Sequence, residues 1–195
     1  MKRVLLLLEC MCLCVLAASP QGQNKLEVYP APSGVEMKND FTVKVRIPGG
    51  DWKPVDTYMV KVDEVRDTKH CVEKASLAYF DFEGEVEVSV TSNNGVIETG
   101  RVRPLSYEIV PAIEGNTMTF KLNKPRNLSV EVNGDIFHNL HLFANAIDVN
   151  KPKNPKKDKN LIYFGPGVHQ LPKDSLAIPS GKTVYIAGGA RVYGT

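Results

Sequence analysis

The sequence predicts an all-β protein, a β-sandwich followed by the first coil of a parallel β-helix. Three observations predict it. Strand-forming runs recur about every 8 to 14 residues through the middle of the chain, with no helical period between them. These runs close on turn formers such as Pro48-Gly49-Gly50 and Asn93-Asn94-Gly95. From residue 161 onward the runs shorten to a few β-formers, each ended by Gly or Pro. Such runs are too short for an average helix and shorter than most sandwich strands. Very short strands in quick succession suit coils stacked on one another.

The chain begins with a basic Lys2-Arg3, an apolar run from Val4 to Leu16 broken only by Glu9, and then Leu16-Ala17-Ala18-Ser19, whose Ala17, Ala18 and Ser19 are small. That order reads as a secretory signal peptide over residues 1–19, rather than an anchor that spans a bilayer. Cys10, Cys12 and Cys14 do not follow small residues, which argues against lipidation. Removing the leader takes away Lys2, Arg3 and Glu9 and leaves 22 basic and 21 acidic side chains, a net charge of +1. So balanced a surface gives no support for nucleic-acid binding. Three of the four cysteines leave with the leader, so Cys71 has no intrachain disulfide partner. Export without a disulfide suits a secreted or periplasmic protein of a bacterial envelope, with no membrane span once the leader is cleaved.

Residues 24–148 form the expected sandwich. Leu26 to Tyr29 opens it. Phe41-Thr42-Val43-Lys44-Val45-Arg46-Ile47 alternates strictly, apolar on one face and polar on the other. Strands are also expected at Tyr58–Val62, within Ala78–Val90, and at Ser106–Val110, Thr117–Leu122 and Ser129–Asn133. Val65 to Lys74 shows no pattern and reads as a loop. Residues 149–160, NKPKNPKKDKN from Asn150 on, are polar and broken by proline, which reads as a solvated linker. Its five lysines would also suit an acidic glycan, though charge runs are ordinarily just solvated.

Residues 161–195 carry the most specific phrases. Tyr163-Phe164-Gly165-Pro166-Gly167-Val168-His169 is followed by Ser180-Gly181-Lys182-Thr183-Val184-Tyr185-Ile186-Ala187-Gly188-Gly189-Ala190. Together they resemble the first coil of the right-handed parallel β-helix in polysaccharide hydrolases, polygalacturonase-like glycoside hydrolase family 28 and dextranase-type family 49. Asn127 to Asp135 and Leu140 to Asn145 resemble the last strands of the sandwich that precedes that β-helix in the dextranase type. The apolar Tyr163, Val184, Ile186 and Val192 are expected inside the coil, with tight corners at Gly165-Pro166-Gly167 and Gly188-Gly189. A further short run, Ser175 to Ile178, is expected to pair as well. One coil cannot bury its apolar face alone, and about three repeats are needed for stability. The chain is therefore expected to be the front part of a longer protein, with some apolar side chains near Val192 exposed.

Candidate chemistry is sparse. Asp81, Glu83, Glu85 and Glu87 are two apart, and one strand over 79–90 would place all four carboxylates on one face, with Phe80, Phe82, Val86 and Val88 on the other. Paired carboxylates suit acid–base hydrolysis and a row of them suits calcium, but a solvated strand face is the ordinary reading. His138 and His141 are an odd number apart, which on a strand separates them and argues against a metal pair. His70 and Cys71 are adjacent, so their side chains diverge and do not make a nucleophile–base pair. A partly buried thiol is the default for Cys71. Trp52, after the Gly49-Gly50-Asp51 turn, is either a packed ring or an exposed platform for a sugar face. No phosphate loop, zinc-protease, CxxC or nucleophile-elbow motif occurs, and no cofactor or metal is expected.

The resemblance implies hydrolysis of a glycosidic bond by aspartates on later coils, with inversion, which requires carboxyl groups roughly 6.5 to 9.5 Å apart. The polygalacturonase-like phrases Asn-Thr-Asp, Asp-Asp, His-Gly and Arg-Ile-Lys are absent from residues 1–195. No catalytic residue is assigned here, and the 195-residue chain alone is expected to be inactive. The expected partner is a polysaccharide, of pectin or polygalacturonate type first and dextran type second. Two rival readings stand beside it: a non-catalytic glycan-binding or cell-surface module, and the front end of a polysaccharide lyase.

Overall fold

The structure is a computed structural model that describes residues 24–194, so the expected signal peptide lies outside the described residues. In chain order the strands are β1 (Lys25–Val28), β2 (Phe41–Arg46), β3 (Lys53–Val55), β4 (Tyr58–Arg66), β5 (Lys69–Glu83), β6 (Val86–Ser92), β7 (Gly100–Arg103), β8 (Ala112–Glu114), β9 (Thr117–Leu122), β10 (Arg126–Val132) and β11 (Asp135–Ala146). The tail adds β12 (Leu161–Phe164), β13 (Gly167–Gln170), β14 (Thr183–Ile186) and β15 (Ala190–Tyr193). The fold is all-β, as the alternation and the turn residues predict. Among the described residues no helix is long and apolar enough to cross a membrane.

Two sheets make the sandwich. The first runs β1-β5-β11-β10-β7, with β4 sharing the β1 side of the long β5. The second runs β3-β2-β6-β9-β8. All pairs are antiparallel except β5 with β11. Alternation decides what goes inside. Phe41, Val43 and Val45 meet Val86, Val88, Val90, Met118 and Phe120 from the second sheet, and Phe80, Phe82, Leu140 and Leu142 from the first. Each such side chain contributes on the order of 1.5–3 kcal/mol of burial.

Three local readings of the sequence are corrected. Val65 to Lys74 is a hairpin, not a loop. Asp67 and Thr68, both at positive φ (48° and 70°), turn β4 directly into β5, the backbone of a two-residue hairpin turn. Its apolar pattern is lost because the hairpin projects past the core, leaving Val65 and Val72 exposed. Ser106 to Val110 is not a strand; a 3-10 turn at Leu105–Tyr107 and an irregular crossing join the two sheets there. Residues 79–90 hold two strands. Gly84, at φ 85°, ends β5, and a Cβ there would lie 1.9 Å from Asn24 Oδ1. That oxygen accepts the Glu85 N–H at 3.1 Å, fixing the point where the chain leaves the first sheet for the second.

The tail is a coil of parallel ladders. Leu161 aligns with Thr183 and Phe164 with Ile186, while Gly167 aligns with Ala190 and Gln170 with Tyr193. Its corners stack: Gly167, at φ 120°, donates its N–H to Gly189 O at 2.8 Å, and Gly189 itself is at φ 78°. Ile162 and Phe164 share a face with Val184 and Ile186. The His169 ring meets Phe164 edge-on, and Val192 aligns with His169. Tyr163 does not join them. It aligns with Tyr185 and stacks on it at 5.8 Å, on the face opposite Val184 and Ile186, because successive residues alternate. Ser175 to Ile178 forms no strand and Ile178 is exposed. Ile186, aligned on the ladder, is 56% exposed.

Candidate functional site

The outer face of the second sheet collects the polar half of its alternating strands. The register sets Arg46 of β2 opposite Glu87 of β6, and Glu87 opposite Lys121 of β9. Arg46 Nε donates to Glu87 Oε2 at 2.6 Å. Lys121 Nζ lies 3.2 Å from Glu85 Oε1 and 3.8 Å from Glu87 Oε1. Trp52 stands beyond the Gly49-Gly50 turn, where the Gly50 N–H donates to Ile47 O at 2.9 Å. The Arg46 guanidinium lies 4.3 Å over the indole. The opposite wall is the crossing after β7, with Tyr107, whose ring carries Arg126 at 4.1 Å, followed by Ile109 and Val110. Between these walls is a groove of about 740 Å³.

The expected row of four carboxylates is therefore divided. Glu85 and Glu87 line the groove together with Trp52. Asp81 and Glu83 stay on the first sheet, because the chain changes sheets at Gly84. Both groove carboxylates are engaged by Lys121 on the same wall, not placed across the cleft from one another as an acid–base pair requires. The arrangement offers fixed donors, acceptors and ring surface, which is the equipment of binding. Tyr107 is the residue that sequence reasoning missed. It fell inside a segment read as a strand, whereas the bracketing Pro104 and Pro111 were the available sign of an irregular crossing.

Asp81 occupies a second cluster, where the coil docks on the outer face of the first sheet. It is only 8% exposed. The Tyr29 hydroxyl is 2.7 Å from Asp81 Oδ2 and 2.8 Å from Glu27 Oε2, so its one proton is shared between two acceptors. Burial pushes the Asp81 carboxyl above the usual range, and burial with the two acceptors pushes the Tyr29 hydroxyl far up. Lys151 bonds Glu27 and thereby lowers that carboxyl. Tyr29 stacks on Tyr79 at 5.5 Å, Gly189 donates its N–H to the Tyr79 hydroxyl, and Tyr185 donates to Asp148. Gly188 lies against the Tyr29 ring, where a Cβ would come within 2.3 Å. The cavity left in this junction is about 350 Å³. Lys151, in the stretch expected as a solvated linker, stays exposed while it reaches this cluster.

The remaining candidates do not converge. His138 is held by Asp135 at 2.9 Å and faces Glu73 at 3.4 Å. His141 sits in the ladder opposite Leu77 and Ser129. His70 bonds Asp63 at 2.8 Å, and Cys71 is a half-buried free thiol. Among the described residues no three His, Cys, Asp or Glu side chains gather as a metal-holding group. Glu83 is paired with Lys25 at 2.7 Å, in solvent.

Compared with solved structures, the chain is similar in fold to Dex49A from Penicillium minioluteum. The TM-score is 0.59 at 15% sequence identity, over 86% of this chain and 44% of that one. The chain thus spans less than half the length of that structure. No protein-family model matches the chain, and no curated protein matches it in sequence.

Proposed function

We propose that this chain is the amino-terminal part of a secreted polysaccharide hydrolase of the β-helix type, its sandwich presenting and bracing the start of the catalytic β-helix. The observation that carries the reading is the order of parts, an all-β sandwich followed by parallel ladders, supported by the fold likeness to Dex49A over 86% of this chain. The FGPGVH and SGKTVYIAGGA phrases supply the corners of that coil and support the same reading. In the whole enzyme two carboxyl groups on later coils hydrolyse the glycosidic bond, one protonating the leaving oxygen and one activating water. The substrate classes this reading carries are a pectin-type galacturonan first and a dextran-type α-glucan second.

The test uses the product of the whole gene. Incubated with polygalacturonate or dextran it should release reducing sugar, whereas residues 20–195 alone should release none above a heat-denatured control. An unsaturated uronide product from polygalacturonate would instead make the whole protein a lyase. Absence of turnover on every polysaccharide tested would favour a binding module, the reading to which the groove beside Trp52 lends support.

A further inference from the structure

We propose that the groove on the second sheet is a binding site for a neutral glucan chain. The choice of a polysaccharide rests on the function proposed above, while the site and its preference for an uncharged chain rest on the groove itself. The coil docks on the first sheet, so among the described residues the outer face of the second sheet stays open.

Three features point to a sugar chain. The first is surface. Trp52 and Tyr107 offer rings, and Ile109 and Val110 extend the apolar strip beside them, with Val110 86% exposed. A pyranose has apolar C–H faces and a polar rim, so a strip of rings beside a row of polar groups matches it on both counts. The second is preorganisation. Arg46, Glu87 and Lys121 stand in cross-strand register on three paired strands. Their mutual contacts fix the side chains before any ligand arrives, which reduces the ordering cost of binding. A carboxylate has about four lone-pair sites, so Glu85 and Glu87 keep acceptor capacity for hydroxyls after meeting Lys121 and Arg46. The third is charge. The lining carries the cations Arg46 and Lys121 against the carboxylates Glu85, Glu87 and Glu108. With Arg126 on the Tyr107 ring, cations and carboxylates balance at three each, so the groove offers a polyanionic galacturonan no net positive charge, and a neutral glucan needs none.

Trp52 is the single tryptophan of the sequence, so intrinsic fluorescence reports on the groove directly. Titrating the full chain with isomalto-oligosaccharides should give a saturable change in emission. Oligogalacturonates of equal length should bind at least about tenfold more weakly, a difference of about 1.4 kcal/mol. Tyr107→Ala and Lys121→Met each keep the reporter. Each should weaken glucan binding about tenfold or more while leaving the urea unfolding midpoint near that of the parent chain. If Lys121→Met shifts that midpoint, Tyr107→Ala on its exposed crossing decides. No saturable change with isomalto-oligosaccharides, unaltered affinity in Tyr107→Ala, or tighter binding of oligogalacturonate would each overturn the proposal. Dextran hydrolysis by the whole gene product without groove binding defeats only this inference. Groove binding without hydrolysis defeats only the hydrolase reading.

Discussion

At the scale of single residues, the two histidines of β11 act on stability with opposite signs. His141 is half-buried and its Nε2 meets no protein partner, so burial holds its imidazole below the usual range. The unfolded chain then takes up a proton that the folded chain refuses, and stability falls as pH drops through about 6.5. His138 is raised by its bond to Asp135, so its contribution is complete below about 6.5 and is lost as pH rises through the raised value. It is largely exposed, and solvent screening keeps its share small. His141→Phe should therefore flatten the loss of stability between roughly pH 7 and pH 5, measured as the urea midpoint against pH. An unchanged slope in the variant would locate the acid sensitivity elsewhere. The imidazole–ladder environment was not legible in the sequence, because burial of an outward-facing side chain depends on what other strands bring beside it.

At the scale of elements, the junction between sandwich and coil is a close approach of a glycine to an aromatic ring. Gly188→Ala places a methyl group against Tyr29, and the ring is held from behind by Tyr79. The coil must shift, at a cost of about 1–3 kcal/mol typical of overpacking. Limited proteolysis within 151–194 should accelerate in this variant, while fragments covering 41–144 persist. Tyr29→Phe keeps the ring but removes the hydroxyl shared by Asp81 and Glu27, so it should loosen the coil by about 0.5–1.5 kcal/mol. Equal cleavage rates in parent and Gly188→Ala chains would mean that the contact does not hold the coil. The Gly188-Gly189 pair was legible as a corner from sequence. That Gly188 serves a contact more than one hundred and fifty residues away in sequence was not, since nothing local to it encodes Tyr29.

At the scale of the molecule, the core and the coil differ in self-sufficiency. The buried apolar cluster lies between Phe41 and Ala144, within the two sheets of the sandwich and, at Ile97, the connection between β6 and β7. The coil contributes none of it and leaves Ile186 and Tyr193 exposed, with ladders only two strands wide. Two-stranded ladders are marginal alone and their free edges invite pairing with other chains. A chain ending at Asn150 should unfold in one cooperative transition and stay soluble at concentrations where the full 195-residue chain begins to aggregate. Matching solubility of the two chains, measured by light scattering, would show that the coil's edges are protected.

Alternation along Phe41 to Ile47, the breaks at Gly and Pro, and the short closing runs determined by themselves that the protein is all-β, with a sandwich first and parallel ladders after it. Those signals are local: a period of two and a turn-forming residue act within a few positions of where they stand. The partners were decided by the tertiary structure. Which sheet Glu85 joins depends on Gly84 meeting Asn24, which wall Trp52 faces depends on a crossing that delivers Tyr107, and the burial of Asp81 depends on a coil that returns to cover it. Tyr163 shows the same division within one strand. Its β-forming character was plain, but the face it takes was set by the register that pairs it with Tyr185 in the next rung, a pairing that exists only once the coil has closed.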